Sequence, residues 1–246
     1  MIHIYDGINC VRRGLHTDPT GRYVRKTVTD MFAVLGPHIW VWDGNGGNDR
    51  RREIYPDYKL GRKPHGDDVW ATIDLLMQVL VHTPAIQVKV NGFEADDVIA
   101  DLAKRFGDVF IHSSDMDFAQ LGVKGDFRAK IPAEQVRLYK TFVGDIRDNI
   151  PGVPLFGEKT WENADKTKLQ AIVDCINSGS IYSVEEGAFR PGVTKWLQDP
   201  VNQQKLKAYW EIIGFIPISP QLIDRNTNAG SPDRVKINEI LARFML

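Results

Sequence analysis

The chain has 246 residues, 43% of them hydrophobic, which is enough for one large core or for a core with a small appendage. Lysine and arginine total 31 against 32 for aspartate and glutamate, so any polyanion-binding signal must come from local clusters of charge. Two cysteines, no apolar run of membrane-spanning length and a strand pattern that starts at Ile2 predict a cytoplasmic protein with no membrane segment or signal peptide.

Residues 2–7 and 39–44 share one pattern, an apolar strand that ends in aspartate and then glycine. Helical periodicity over residues 27–35 (Val28, Met31, Phe32, Leu35) joins them into a strand-helix-strand unit. A turn alone would explain a single Asp-Gly pair.

Residues 44–68 are polar and basic, with Tyr55 and Tyr58 between the charges. This pattern suits phosphate contacts and base stacking, although a solvated basic loop has the same composition. Residues 69–80 then have helical periodicity, and residues 88–90 predict a short edge strand. The basic residues of the first segment are Arg50, Arg51, Arg52, Lys59, Arg62 and Lys63.

Residues 92–117 contain two acidic clusters. An apolar stripe from Ala95 to Phe106 predicts an amphipathic helix with acids in its first turn, where they would also complement the helix dipole. Residues 109–112 predict a buried strand, and residues 113–115 supply an N-cap for a following helix. The acids of the two clusters are Glu94, Asp96, Asp97, Asp115 and Asp117.

Three predicted strands therefore end close to an aspartate, namely Asp6, Asp43 and Asp115. Right-handed crossovers place the carboxyl ends of parallel strands at one edge of a sheet, where these acids should gather with Glu94 nearby. Clustered carboxylates repel one another unless cations neutralise them, and oxygen ligands favour Mg²⁺ or Mn²⁺. The sequence therefore predicts a metal site at this edge.

Weak alternation after residue 128 predicts a further strand at residues 136–139. Asp145 and Asp148 share a face if their segment is helical, Gly152 would help to end that helix, and Gly157 precedes the next one. Glycines at such a turn let backbone N–H groups approach an anion, although an ordinary helical hairpin has the same spacing. Apolar patterns predict further helices at residues 169–176, 193–197, 206–213 and 235–244, to which no chemistry is assigned.

Four segments, at residues 58–62, 92–97, 114–117 and 144–153, resemble motifs of the 5′ nuclease, or flap endonuclease, family. This family includes the 5′ nuclease domain of bacterial DNA polymerase I and phage-encoded 5′-exonucleases. The resemblance covers about residues 1–165 in consistent order, and the compact length resembles a stand-alone phage enzyme.

The resemblance implies a PIN-like, Rossmann-like α/β fold whose mostly parallel sheet is flanked by helices, with a helical arch or clamp and a helix-three-turn-helix. A nuclease core would span residues 1–143, including an arch segment at 44–80. Residues 144–246 would form the helix-three-turn-helix and a helical C-terminal region packed on the core. Two features depart from the family pattern: Leu155-Phe156 replaces Gly-Val, which bears on one backbone phosphate contact, and the arch is short.

The resemblance also implies site residues, with two Mg²⁺ ions (Mn²⁺ as the alternative) and K⁺ at the helix-three-turn-helix. The cations Lys59 and Arg62 would lie near the scissile phosphate, and Tyr58 would stack on a base. The first metal ion would be held by Asp6, Asp43, Glu94, Asp96 and Asp115, and the second by Asp117, Asp145 and Asp148, with Asp97 supporting a ligand. Contacts to duplex DNA would come from Gly152, Val153, Gly157 and Lys159.

The expected activity is structure-specific 5′ nuclease cleavage of DNA, both 5′-3′ exonuclease and flap endonuclease, that leaves a 3′-hydroxyl and a 5′-phosphate. Expected substrates are 5′ flaps, nicked or 5′-ended duplexes and RNA/DNA hybrids. The expected setting is phage DNA replication, repair or recombination in the host cytoplasm, with the protein a monomer. Two alternatives are a non-catalytic structure-specific DNA-binding protein on the same fold and a PIN-like ribonuclease.

Overall fold

The computed structural model describes residues 1–34, 36–185 and 187–244, and it divides the chain into two compact units. Unit 1 comprises Met1–Gly47, Lys63–Arg128 and Ile216–Leu246, and unit 2 comprises Asn48–Arg62 and Ala129–Phe215. The chain therefore leaves unit 1 and returns to it twice, whereas the sequence predicted a single boundary after residue 143. No helix among the described residues is long and apolar enough to cross a membrane.

Unit 1 is built on a six-stranded sheet in which the order of strands is β5-β4-β1-β2-β3-β6. The strands are β1 (Ile2–Asp6), β2 (His38–Trp42), β3 (Ile86–Lys89), β4 (Val109–His112), β5 (Lys124–Gly125) and β6 (Thr227–Ala229). All pairings are parallel except that of β3 with β6. The predicted α/β class with a mostly parallel sheet is confirmed. The predicted edge position of residues 88–90 is wrong, because β6 pairs with the outer side of β3.

Helices flank the sheet of unit 1 and make up most of unit 2. In chain order they are α1 (Gly7–Thr17), α2 (Arg22–Ala33), α3 (Asp49–Ile54), α4 (Asp67–Leu80), α5 (Ala95–Phe106), α6 (Val136–Val143), α7 (Glu158–Asn163), α8 (Lys166–Asn177), α9 (Pro191–Gln198), α10 (Pro200–Ile213), α11 (Pro220–Arg225) and α12 (Arg234–Arg243). The helices predicted at residues 69–80 and 95–106, and the four in the C-terminal region, are confirmed. The helix predicted at residues 27–35 begins earlier, at Arg22, and the predicted end at Leu35 lies outside the described residues.

The first strand passes directly into a helix. A carboxylate oxygen of Asp6 accepts a hydrogen bond from the backbone N–H of Asn9 at 3.1 Å, and this bond caps α1. A Cβ atom on Gly7 would collide with the ring of Trp42, so only glycine fits at the start of this helix. The predicted turn after Asp6 is therefore wrong, because the capping bond starts a helix there at once.

Aromatic rings cover one face of the sheet. The ring centroid of Tyr5 is 4.5 Å from that of Trp40 and 4.2 Å from that of His112, and each pair is stacked. Trp40 and Trp42 pack in one core with Val11 of α1, Val28 of α2 and Leu76 of α4. This layer of rings fixes the strands in register and so fixes the positions of their carboxyl ends.

The strand predicted at residues 136–139 is wrong, because this segment is part of α6. Leu138 and Phe142 are four residues apart, which places them on one face of a helix, and both are buried in the core of unit 2 with Phe156 and Trp161. In so short a segment the apolar spacing fits both periods, and packing selects the helix.

Two arginines, buried Arg51 and half-buried Arg137, bind the carboxyl end of α10. The Nε atom of Arg51 donates to the carbonyl of Ile212 at 2.8 Å and its Nη2 atom donates to the carbonyl of Gly214 at 3.1 Å. Arg137 donates two hydrogen bonds to the carbonyl of Trp210, at 2.9 and 2.7 Å. Cations at this end of a helix complement its dipole and satisfy its last carbonyls. Arg51 therefore stabilises unit 2, although it belongs to the stretch predicted to contact phosphates.

Candidate functional site

Three carboxylates interact at the carboxyl edge of the sheet in unit 1. Asp6 ends β1, Asp43 follows β2, and Asp115 follows β4, and these strands are parallel neighbours. Burial raises the pKa of Asp6 to about 7, the charges of Asp43 and Asp115 add to this rise, and hydrogen bonds from Asn9 and Ser113 oppose it. The predicted gathering of these three acids is therefore confirmed, while their role as metal ligands stays a prediction.

Ser113 joins two of these acids. Its hydroxyl donates to Oδ2 of Asp6 at 2.8 Å and accepts from the backbone N–H of Asp115 at 3.2 Å. The side chain of Asn9 accepts from the backbone N–H of Ser114 at 3.1 Å, which holds the same loop. The sequence predicted a helix cap at this serine pair and not its contact with Asp6. The sequence did contain a signal for this contact, because the buried-strand pattern of residues 109–112 ends in two small polar residues, Ser113 and Ser114.

Asp115 and Asp43 also cap helices. Oδ1 of Asp115 accepts from the backbone N–H of Asp117 at 2.9 Å and caps the 3₁₀ helix Met116–Leu121, as the sequence predicted. Oδ1 of Asp43 accepts from the backbone N–H of Ala95 at 2.7 Å, at the start of α5. This bond holds the start of α5 against Asp43, with buried Glu94 at the N-cap and half-buried Asp96 in the first turn.

The structure places Asp97 differently from the other acids of the motif. Its side chain is fully buried, and its Oδ1 atom accepts from the backbone N–H of Ile216 at 2.7 Å. One turn later on α5, Asp101 accepts from the backbone N–H of Ile218. These two carboxylates hold the segment by which the chain returns to unit 1, and the supporting metal-site role of Asp97 stays a prediction.

The chemistry of the acidic edge fits a hard divalent cation. Its donors are carboxylates, and the raised pKa of Asp6 shows that the charge there is not fully compensated by hydrogen bonds. In the part of the chain that the structure describes, no three acidic, histidine or cysteine side chains are close enough to hold an ion as they stand. A cation would therefore have to draw these carboxylates towards one another.

In unit 2, Asp145 and Asp148 border a single 3₁₀ turn, Ile146–Asp148, rather than sharing the face of a longer helix. Oδ2 of Asp145 lies 2.7 Å from Nζ of Lys140 in a largely buried ion pair. Burial would raise the pKa of Asp145, but the charge and hydrogen bond of Lys140, with backbone N–H donors, hold it below the usual value. The hydroxyl of Tyr58 donates to Oδ2 of Asp148 at 3.5 Å.

The segment with Lys59 and Arg62 consists of turns and is not helical. Lys59 has a φ of 53°, its Nζ atom lies 4.9 Å from the ring centroid of Tyr58, and Arg62 is exposed. The spacing of three residues between Lys59 and Arg62 therefore does not place the two cations on one face of a helix. Tyr58 is only 3% exposed because it packs in the core of unit 2, so this conformation does not allow it to stack on a base.

The predicted hairpin is formed by α6, the segment that follows it, and α7. The side chain of Val153 is buried and its N–H donates to the carbonyl of Phe142 at 2.8 Å, so both serve the fold here, and the DNA contact of Val153 stays a prediction. Gly152 has a φ of 68°, and a Cβ atom at this position would collide with neighbouring backbone atoms. The fold itself therefore requires glycine here. Gly157 has open space around it, and Lys159 is exposed in the first turn of α7.

Together these observations define an α/β protein with an acidic cluster at the carboxyl ends of parallel strands. The chain belongs to the family described as 5′-3′ exonuclease, N-terminal resolvase-like domain, whose model matches residues 12–141. It is 32% identical over 255 residues to DNA polymerase I of Caldicellulosiruptor bescii, covering 91% of this chain and 28% of that protein. It is 39% identical over 132 residues to flap endonuclease Xni of Shewanella sp. (strain MR-4), covering 48% of this chain and 50% of that protein.

The chain therefore spans half or less of the length of these two relatives. Among solved structures, T5 5′-exonuclease with bound divalent metal ions (zinc) has a TM-score of 0.69 at 18% identity, with 99% of both chains covered. At this identity the likeness shows the fold.

Replacing Asp6 with asparagine should stabilise the metal-free protein. The pKa of Asp6 is about 4 in the unfolded chain and about 7 in the folded protein, so the folded protein loses stability as the pH rises through this range. In this range the unfolded chain releases the proton of Asp6 easily, whereas the folded protein must bury the resulting charge. In a chelator at pH 8, Asp6→Asn should therefore melt at least about 2–4 °C above the wild type. Its melting temperature should also depend less on pH.

Glu134→Gln is the matched control, since Glu134 is exposed, and it should leave the melting temperature unchanged. The prediction would be contradicted if Asp6→Asn melted at a lower temperature than the wild type and showed the same dependence on pH. Such a result would mean that the buried charge of Asp6 does not destabilise the folded protein.

Proposed function

We propose that this chain is a divalent-metal-dependent 5′ nuclease that hydrolyses DNA phosphodiesters at 5′ ends and at single-strand/double-strand junctions. The observation that carries the proposal is the acidic edge of unit 1, where Asp6, Asp43 and Asp115 interact and α5 adds Glu94 and Asp96. Family membership and the names of the relatives support the reaction and the substrate class.

Divalent cations bound at this edge would supply activation of water and neutralisation of charge at the scissile phosphate. The contribution of the chain is to hold the carboxylates in place. Ser113 orients Asp6 and the loop of Asp115, and the N–H of Ala95 orients Asp43, so these carboxylates already lie at one edge of the sheet when a cation draws them together. Mg²⁺ is the proposed ion, because every proposed donor is a carboxylate oxygen.

Unit 2 supplies the proposed contacts to DNA. Lys59 and Arg62 are proposed to bind the scissile phosphate, and the segment of Gly157 and Lys159 to bind duplex backbone as a helix-three-turn-helix with K⁺. Asp145 and Asp148 are kept as proposed metal ligands on the resemblance alone. We also propose the PIN-like form of the fold, an arch within residues 44–80, action on RNA/DNA hybrids and a monomeric protein.

Loss of a proposed ligand should slow cleavage strongly without unfolding the protein. With Mg²⁺ and 5′-labelled flap, nicked and blunt duplexes, the wild type should release short products that begin at the labelled 5′ end. Asp115→Asn should cut at least about 10²-fold more slowly, because charge stabilisation in the transition state is lost. Melting curves check that the variant is folded.

Asp126→Asn is the matched control, since Asp126 follows neighbouring β5 and is not a proposed ligand. It should cleave within a few-fold of wild type. Binding of flaps without cleavage by the wild type would instead identify a structure-specific DNA-binding protein, and cleavage restricted to RNA would identify a ribonuclease.

Replacement of Lys59 separates catalysis from general attraction to DNA. A cation at the scissile phosphate stabilises the transition state more than the bound substrate, so Lys59→Ala should lower the single-turnover rate about 10²-fold with little change in affinity. Exposed Lys63 provides the control, and Lys63→Ala should change only affinity and its salt dependence. A lower affinity with an unchanged rate at saturating enzyme for Lys59→Ala would refute the catalytic role.

Gly157 offers a test of the duplex contact that leaves the fold intact. Because the position is open and its φ is −88°, Gly157→Ala and Gly157→Val should both fold with unchanged melting temperature. If DNA backbone approaches this point, affinity for duplex should fall with side-chain size, by about tenfold for valine. Equal affinities for all three proteins would show that the hairpin is only structural.

A further inference from the structure

Unit 1 has a second concentration of positive charge, away from the segments considered so far. Residues 12–26 contain five arginine and lysine residues and one aspartate, in a chain whose net charge is −1. The α1–α2 cationic surface consists of the exposed side chains Arg12, Arg13, His16, Arg22, Arg25 and Lys26. The family motifs do not include any of them.

Helix packing concentrates these charges. Arg12 and His16 are four residues apart on α1, and Arg22 and Lys26 are four apart on α2, so each pair occupies one face of its helix. The two helices approach closely at Gly14, where a Cβ atom would collide with the ring of Tyr23. The basic residues of both helices therefore flank one junction.

Much of this charge is not neutralised within the protein. Lys26 lies 2.7 Å from Asp30 and Arg13 lies 3.4 Å from Asp126, whereas Arg12, Arg22 and Arg25 form no ion pair with any described residue. Asp18, the acid of this stretch, accepts hydrogen bonds from the backbone N–H and the hydroxyl of Thr20. The charge of Arg22 also helps to hold the pKa of Asp18 below its usual value, without a close ion pair. Three clustered arginines without a close ion pair favour an anionic ligand from outside the chain.

Helix α1 sets the distance between this surface and the acidic edge. It begins directly after Asp6 and has 11 residues, so along the helix axis Arg12 lies about 9 Å and the far end of the helix about 16 Å from that residue. On B-form DNA the far end corresponds to about five base pairs. Tyr23 is the one Phe, Tyr or Trp residue of this stretch and its hydroxyl is buried, so the surface is suited to phosphates rather than to stacked bases.

We propose that the α1–α2 cationic surface binds the phosphate backbone of a duplex arm of DNA, about five base pairs from the acidic edge. The proposal rests on the proposed function for its substrate. The surface would make the protein prefer DNA with long duplex arms, and it would take no part in the chemical step.

The test compares two triple variants that remove the same charge. Arg12→Ala/Arg22→Ala/Arg25→Ala removes the unpaired arginines, and Lys104→Ala/Arg225→Ala/Arg243→Ala removes exposed cations from the ends of α5, α11 and α12. Affinity for flap DNA with duplex arms of about 4 or about 12 base pairs is measured in Ca²⁺ over a series of salt concentrations. Single-turnover cleavage in Mg²⁺ at saturating enzyme is measured separately, and melting curves monitor folding.

The wild type should bind the long-armed substrate more tightly than the short-armed one. The surface variant should lose about tenfold in affinity for the long arm and two to three units of salt slope, at about 0.9 per phosphate contact, with the short-armed affinity and the saturated rate unchanged. The control variant should bind both substrates as the wild type does.

Equal losses for both triple variants would show that only net charge matters, and equal losses on both arm lengths would place the contact elsewhere. Either result overturns the proposal. If the wild type binds but does not cleave, the proposed function fails, while the arm-length comparison in Ca²⁺ still tests the surface.

Discussion

Repulsion between neighbouring carboxylates is the constraint on which the arrangement of unit 1 depends. Asp6 is 8% exposed and interacts with the charges of Asp43 and Asp115, and its charged form is therefore unfavourable. The fold supports it with local donors from Asn9 and Ser113, and with a sheet whose stacked rings leave its strands little freedom. Such unfavourable placement of charge is common where a protein keeps a site ready for a ligand, because stability is given up for affinity.

Positive charge is divided between two different uses. Arg51, Arg137 and Lys140 are at least half buried and satisfy helix carbonyls or a carboxylate within unit 2. Arg12 and Arg22, in contrast, face solvent on α1 and α2. Composition assigns the same charge to all five, and only burial separates cations that hold the fold together from cations available to a polyanion.

The pattern of strands that end in acid could be predicted because it depends on local periodicity and on the rule that parallel strands share an edge. The bond from Ala95 to Asp43 could not be predicted, since it joins residues far apart in the chain. Burial of Tyr58 and Val153 also depends on distant packing, which a motif of five to ten residues does not report. Helix α1 was missed although Val11 and Leu15 have helical spacing, because the Asp-Gly pair was interpreted as a turn.

The pairing of β6 with β3 has a consequence for the order in which the molecule is made. Ile86 pairs with Ala229, and the larger segment of unit 2, Ala129–Phe215, is synthesised between them. On the ribosome, β3 therefore waits as an open edge strand while the intervening helices form, and open edges are sites of intermolecular pairing. A nascent chain halted before β6 would keep that edge, so translation speed and chaperone access should affect its yield more than the final stability does.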